Sequence, residues 1–478
     1  MVRETGGPTD SGVRIERDTL GEMHVPADAL WGAQTQRALE NFRISGLRFP
    51  RRFLYALAQI KRACARTNVR MGHLPQHYGD AIVAACDEVA SGALDAHFPL
   101  DVFQTGSGTS TNMNANEVIA TRAKQLGETR LSHRDLAIHP NDHVNMSQSS
   151  NDVIPAAIHV ALTLALRHEL LPALDGLRDA LSVKERAFDG VVKTGRTHLQ
   201  DATPIRMGQV FGGYVAQVEQ SRSRVESVIT ALRELPLGGT AVGTGVNCPV
   251  GFAAMAIDDL NTALDTHFIE ATNHAAANAA RDALVEASGA LKTIAVSLHK
   301  IANDIRWMAS GPRNGLGELR LPAVQPGSSI MPGKVNPVIA EALIMACAQV
   351  IGLDTANTLA GLGGVFELNM MMPLLAYNLV TATEILSRAV DTFADRCVAG
   401  LEVNAAACRA SVERNLALAT ALVPVIGYER AAEIAKEAER TGKTVREVAT
   451  ERNVLSPEML DALLDPIRMT EPGLLHED

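Results

Sequence analysis

Ile339-Ala-Glu-Ala-Leu-Ile-Met-Ala-Cys-Ala-Gln-Val-Ile351 decides the architecture. Alanine and leucine lose little side-chain entropy in a helix. The stretch is apolar over a wide arc, so it reads as a helix buried on nearly every side. It lies in a helical pattern over Pro337–Leu362, and four more patterns exceed twenty residues: Val153–Phe188, Ile205–Leu235, Asn278–Met308 and Pro373–Leu401. The mean helix has about eleven or twelve residues, and one of about 30 residues reaches about 45 Å, longer than a small domain needs. One chain supplies too few such helices to cover one another. The expected fold is mainly α, with three domains and a central bundle of long helices that assembles with other copies into a multi-helix core.

Outward from that bundle, Val13–Asp18 and Gly21–Val25 alternate well enough for two short strands around a turn. Helical periodicity runs from about Leu30 to Leu94, and Phe98–Asp152, rich in Ser, Thr, Asn and Gly, reads as mostly loop. From about Asn404 the helices shorten and gain charge, with Pro457 and Pro466 as punctuation. The expected division is an N-terminal domain of short strands plus helices (1–148), the long-helix domain (149–405) and a small C-terminal helical domain (406–478).

Composition bounds the function. Hydrophobic residues make up 46% of the 478, aromatics only 4%, and the formal net charge is -10. With no basic run to displace counterions, nucleic acid is not an expected partner. A few cations in a cleft still suffice for an anionic substrate. The six cysteines are scattered with no CxxC pair, which leaves a thiolate metal site or iron–sulfur cluster unsupported and suggests reduced, buried thiols. The start, MVRETGGPTDSG, lacks the apolar core of a secretion signal. Leu235–Ile257 is uncharged but broken by Pro236, Gly238, Gly239, Gly243, Gly245, Pro249 and Gly251, so it reads as loop and not as a membrane span. The expectation is a soluble, cytoplasmic protein.

Several motifs fail on inspection. Gly106-Ser-Gly108 lacks the third glycine of a dinucleotide loop, and Gly442-Lys443-Thr444 has Glu437 where a phosphate loop needs glycine. No GxSxG elbow occurs. His139 and His143, with His133 nearby, have the spacing of metal ligands, but Pro140 and Asn141-Asp142 favour a turn, so no metal is expected.

Four segments carry the chemistry: Thr105-Gly-Ser-Gly-Thr109, Ser147-Gln-Ser-Ser-Asn-Asp152, Gly195-Arg-Thr-His198 and Gly327-Ser-Ser-Ile-Met-Pro-Gly-Lys-Val-Asn-Pro337. In the last, Asn336 reads as the N-cap and Pro337 as the first residue of a helix, which sets free amides and a positive dipole end beside Lys334. Ser149, Ser150 and Asn151 open another long helix in the same way. Thr197-His198 closes a short loop before a helix, and His198 is the imidazole in these segments, the side-chain type suited to acid–base work. Hydroxyls, amides, one Lys, one His and helix N-termini suit a small, multiply charged carboxylate.

GSSIMPGKVNP (Gly327–Pro337) resembles the mobile-loop motif of the fumarase/aspartase superfamily. Gly106–Glu117, His139–Asp142, Gln148–Asp152 and Gly195–His198 resemble class II fumarases in order and spacing. In aspartases, positions 333, 139 and 150 typically carry Ala, Asn and Thr; Gly333, His139 and Ser150 favour fumarase. Asn273–Ala277 departs from the pattern outside the motifs.

The resemblance implies reversible anti addition of water to fumarate, giving L-malate through an aci-carboxylate, a citric acid cycle reaction that needs no cofactor or metal. It implies a homotetramer whose active sites are shared between subunits. By the same resemblance Ser328 is the C3 base and His198 the acid, oriented by Glu341. Lys334 and Asn336 would bind the carboxylate that accumulates charge; Ser107, Gly108, Thr109, Ser149, Ser150, Asn151, Thr197, Ser329 and Val335 would complete the site. His139, Pro140, Asn141 and Asp142 match a second carboxylate site. The alternatives are an aspartate ammonia-lyase of the same superfamily and a catalytically silent structural oligomer.

Overall fold

The alternating residues near the N-terminus form β1 (Val13–Asp18) and β2 (Gly21–Pro26), an antiparallel pair with Asp18 opposite Gly21. The structure is a computed structural model and describes residues 12–129 and 136–473. His133 lies outside the described residues.

The helical pattern after β2 resolves into α1 (Ala33–Asn41), α2 (Arg51–Arg70) and α3 (Gln76–Ser91). The stretch expected to be mostly loop contains α4 (Thr109–Thr129). Its Asn112, Asn114 and Asn116 have weak helix propensity, but all three are buried, and tertiary packing overrides a weak local preference. Glu117 of α4 accepts from the amides of Gly32, Gln34 and Thr35 at 2.8–3.1 Å and so satisfies the N-terminus of α1.

All five long patterns are helices. The first runs unbroken for 39 residues, Ser150–Phe188, as α5 (Ser150–Ala165), a π turn at Leu166–Leu170 and α6 (Leu171–Phe188). Between it and α7 (Met207–Ala231) lies a hairpin, β3 (Val192–Thr197) and β4 (Gln200–Arg206). Then come α8 (Phe252–Leu264), short α9 (His274–Ala279), α10 (Asp282–Met308), α11 (Val338–Gly361) and α12 (Met372–Phe393). Residues 236–251, between α7 and α8, are irregular, as their glycines and prolines suggest.

The contacts group the chain into two units. One holds the described residues of Met1–Leu171 with Arg224–Thr293 and Gln349–Ile385; the other holds Pro172–Ser223, Ile294–Ala348 and the described residues of Leu386–Asp478. In the first, α2 buries Phe53, Leu57, Ile60 and Cys64 and packs against α3, α5 and α8. In the second, Phe188, Phe211 and Tyr214 stack edge to face with centroids 5.3 and 5.5 Å apart. The charged tail forms α13 (Ala405–Glu413), α14 (Val423–Ile426), α15 (Tyr428–Thr441), α16 (Val445–Glu451) and α17 (Pro457–Leu463). Leu418, Leu422, Ile434, Val448 and Leu460 give it a core of its own. Gly442 ends α15 and Thr444 caps α16, so Gly442-Lys443-Thr444 is a turn.

One helix is not covered. Of the most apolar stretch of α11, 28% is buried within the chain, against 83% for the Ser150–Phe188 helix. Met345, Leu359 and Leu362 stand exposed.

Candidate active site

In the first unit, two of the chemistry-bearing segments meet. Thr109 opens α4 and Ser150 opens α5, and their hydroxyls lie 2.7 Å apart. Ser107 extends the chain on one side, 2.6 Å from Thr109 Oγ1, and Ser150 donates to Asn151 Oδ1 on the other. Gly108 is buried beside Ile154. Four of the predicted substrate-binding residues thus form one continuous hydrogen-bonded row at the N-termini of two helices, where amides and dipoles favour an anion.

The row is rigidly backed. Ser149 caps α5 by accepting from Asn151 N, while Asp152 Oδ1 accepts from Ser149 N, a reciprocal capping box. Asp152 Oδ2 accepts from the amides of Gly238 and Thr240, both at 3.0 Å, and Asn151 Nδ2 donates to Ala241 O. Burial raises the pKa of Asp152 against the pull of these amides. The irregular 236–251 segment is therefore tied to the start of α5.

The second unit carries the loop before α11. Gly327 N donates to Lys334 O at 2.8 Å and Asn336 Nδ2 donates to Gly327 O at 2.6 Å, which closes 327–336 on itself. A Cβ at Gly327 would sit 2.5 Å from Lys334 O, so only glycine permits this closure. Gly333 has φ +77, the left-handed region where an alanine costs about 1–2 kcal/mol. Inside the loop, Ser328 Oγ accepts from two backbone amides, Ile330 N at 3.2 Å and Met331 N at 2.9 Å. Ser329, Lys334 and Val335 are exposed. Lys334 has no ion-pair partner among the described residues.

Asn336 does not cap α11 as expected. Its Nδ2 donates to Gly327 O, and the first helical bond runs from Glu341 N to Pro337 O, which puts the capping position at Pro337. The helix starts at Val338, with Glu341 in its first turn.

Thr197 and His198 are placed differently from the expectation too. They sit at the tip of the β3–β4 hairpin, with Thr197 paired to Gln200, and not on a loop leading straight into a helix. His198 and Leu199 form the two-residue turn with φ +56 and +60. Side chains with a Cβ resist that region at about 1–2 kcal/mol each, and glycine or asparagine is the usual choice. The short-range hairpin signal is therefore missing from the sequence. The hairpin is held along β3, where buried Glu318 accepts from Arg196 Nη1 at 2.8 Å and lies 3.3 Å from Lys193 Nζ. His198 itself is exposed. Among the described residues of one chain, no hydrogen bond joins it to Glu341.

The His139–Asp142 segment is an exposed, self-capped turn. His139 Nδ1 accepts from the amides of Asn141 and Asp142, and His139 N donates to His143 Nδ1 at 2.7 Å. The Pro140–Val144 turn after it is π-helical. His143 packs edge-on against Tyr78, centroids 4.9 Å apart.

Reasoning from sequence missed the support beneath the hydroxyl row. Lys61 of α2 is fully buried, and its ammonium donates to Asn145 Oδ1 at 2.9 Å. Its place in the apolar stripe Phe53, Leu57, Ile60, Cys64 is a legible sign, since a lysine on a buried face needs a reason.

A family model described as "Lyase" matches residues 21–352, and one described as "Fumarase C C-terminus" matches residues 418–471. A class II fumarate hydratase of Halobacterium salinarum is 55% identical over 465 residues, covering 97% of this chain and 98% of the relative. One from Xylella fastidiosa is 51% identical over 461 residues, covering 96% of each. The crystal structure of a recombinant class II fumarase from Schistosoma mansoni aligns with a TM-score of 0.93 at 40% identity, covering 96% of this chain and 99% of that one. Matched over nearly its whole length at half identity or more, the chain belongs to the class II fumarate hydratase family.

Proposed function

We propose that the chain catalyses the reversible hydration of fumarate to L-malate, with Ser328 as base and His198 as acid. In the malate direction Ser328, as its alkoxide, takes the C3 proton, and the C–H electron pair moves into the adjacent carboxylate as an aci-carboxylate. That pair then returns to form the C2–C3 double bond and expels the C2 hydroxyl, which leaves as water with a proton from His198. The accumulated negative charge is the main obstacle, and fixed donors are the main remedy. A serine hydroxyl is a very weak acid, so a basic Ser328 needs its anion stabilised. The observation that carries the reading is the pair of amides, Ile330 N and Met331 N, directed at Ser328 Oγ.

Lys334 and Asn336 take the carboxylate that gains charge. Ser107, Thr109, Ser150 and Asn151, joined in one row, take the other with Ser149 and Thr197. Glu341 supports the charged form of His198. Lys334 and His198 stand exposed without ion-pair partners among the described residues, and α11 is uncovered. The reading therefore includes a homotetramer whose sites are completed by neighbouring subunits. The exposed His139–Asp142 turn stays as a second carboxylate site, the three-part division at 148 and 405 as the domain boundaries, and the cytoplasm as the location.

The test is to offer L-malate and L-aspartate separately and follow fumarate by its absorbance. Fumarate from malate alone is expected; fumarate from aspartate alone would make the protein an ammonia-lyase.

A further inference from the structure

The hydroxyl row rests on a buried cation. Lys61 shows no exposed surface, and Asn145 Oδ1, which accepts its proton at 2.9 Å, also accepts from Asn112 Nδ2 and Asn116 Nδ2 of α4 at 3.1 and 3.2 Å. Asn145 Nδ2 donates to Gln148 O, the residue before the Ser149–Asn151 segment. Seven residues along the same face of α2, Asn68 Nδ2 donates to Met146 O and its Oδ1 accepts from Ser147 Oγ at 2.9 Å. Ser147 is held at φ +64. Two side chains of one helix therefore hold the 145–148 segment that delivers the anion-binding residues.

A neutral side chain of the same length would fill this space without the cost of burying a charge. No carboxylate lies within ion-pair distance of Lys61 Nζ among the described residues, and the carboxylate acting on it is that of buried Asp152. Three buried acceptors around the cluster, Asn112 Oδ1, Asn116 Oδ1 and Gln148 Oε1, have no partner among the described residues. A cation kept under these conditions, linked through Asn145 and Gln148 to the segment that carries a site for a dianion, raises the potential where the substrate sits.

We propose that Lys61 is a positioning residue of the hydration reaction, its buried ammonium fixing the 145–151 segment and drawing the substrate carboxylate to it. The inference rests on the fumarate reading of the site. The groups that face Lys61 are Cys64 of its own helix, Cys86 of α3 and Asp152 of α5; α4 and the 145–148 segment face it with amides. Burial keeps both thiols neutral, Cys86 being pushed up to about 12 and Cys64 further. Of the other elements packed on α2, α8 directs Asp259 to Arg66 and Arg70, and the 140–144 turn sets His143 against Tyr78. Burial brings the Lys61 ammonium down to about 8, so its charge is lost in mildly alkaline solution.

The experiment is the KM and kcat of the assembled enzyme for L-malate from pH 6.5 to 9.5 in the parent, Lys61→Met and Lys61→Arg. The parent KM is expected to rise as pH passes about 8 and to approach that of Lys61→Met. That variant should show a pH-independent KM raised about tenfold at pH 7, the loss of one charged hydrogen bond, with kcat less affected. Lys61→Arg, which stays charged, should recover most of the affinity at pH 7 and keep it at pH 9. A Lys61→Arg profile that rises with pH like the parent overturns the inference, and decides the matter even if Lys61→Met fails to assemble. A parent inactive on malate and fumarate removes the function reading and this inference together; an active parent whose variants keep its KM and profile removes the inference alone.

Discussion

At the scale of single residues, the candidate site divides into side chains already held within one chain and side chains that stand exposed. Ser107, Thr109, Ser150 and Asn151 are joined in one row and Ser328 Oγ holds two amide donors, whereas His198 and Lys334 are exposed. Ser328→Ala and His198→Asn should each cut turnover by roughly two to four decades with the fold intact. Near-parental turnover for Ser328→Ala would assign the base elsewhere. Gly327→Ala tests the loop separately, because its Cβ would meet Lys334 O at 2.5 Å and open the closure that places Ser328. The expected outcome is a fall in kcat of about tenfold or more with an unchanged melting temperature, since the loop is exposed and little packing is lost. Ser328, His198 and Lys334 are readable in sequence because they lie in short motifs of reactive types. Lys61 is not read as easily. Its neighbours Asn112, Asn116 and Asn145 come from 51, 55 and 84 positions away, and only packing brings them to it.

At the scale of elements, long apolar periodicity is legible and polar packing is not. The five long helices follow from runs of Ala, Leu, Val and Ile whose burial needs no particular partner. α4 does not, because its asparagines offset poor helix propensity with hydrogen bonds to Asn145 and to His97 O. The β3–β4 hairpin is illegible for a related reason: the turn His198-Leu199 adopts positive φ against local preference, while Glu318, over a hundred residues away, holds β3 through Arg196. Asp152 shows how much one cap can hold, since a single carboxylate receives amides from Ser149, Gly238 and Thr240. In Asp152→Asn the amide nitrogen replaces one accepting oxygen and leaves at least one backbone donor buried without a partner. Stability should fall by about 1–3 kcal/mol, read as a lower denaturation midpoint, and malate KM should rise as the Ser149–Asn151 segment loosens. Unchanged stability would show that water replaces the lost acceptor.

At the scale of the whole molecule, the proposed reading makes α11 decide the active unit. An apolar helix with 28% of its core stretch buried leaves Met345 at 66% and Leu359 at 59% exposure, a surface of the kind that marks an interaction site. On that reading copies of the same helix cover it, and a self-complementary surface gives a closed, symmetric assembly. The loop of Ser328 precedes this helix directly, so on the proposed reading the assembly that covers α11 also sets Ser328 and Glu341 against other subunits. His198, at its exposed hairpin tip, then meets Glu341 of a different copy. The decisive test is co-expression of Ser328→Ala with His198→Asn. If each site takes Ser328 from one chain and His198 from another, a random mixture leaves the serine intact in about half of sites and, independently, the histidine in about half. About a quarter of parental activity should return, though each variant alone is nearly dead. If both residues of a site come from one chain, every site carries one lesion and mixing restores nothing. Activity near a quarter would place the two proton-transfer groups on different subunits; none would confine them to one.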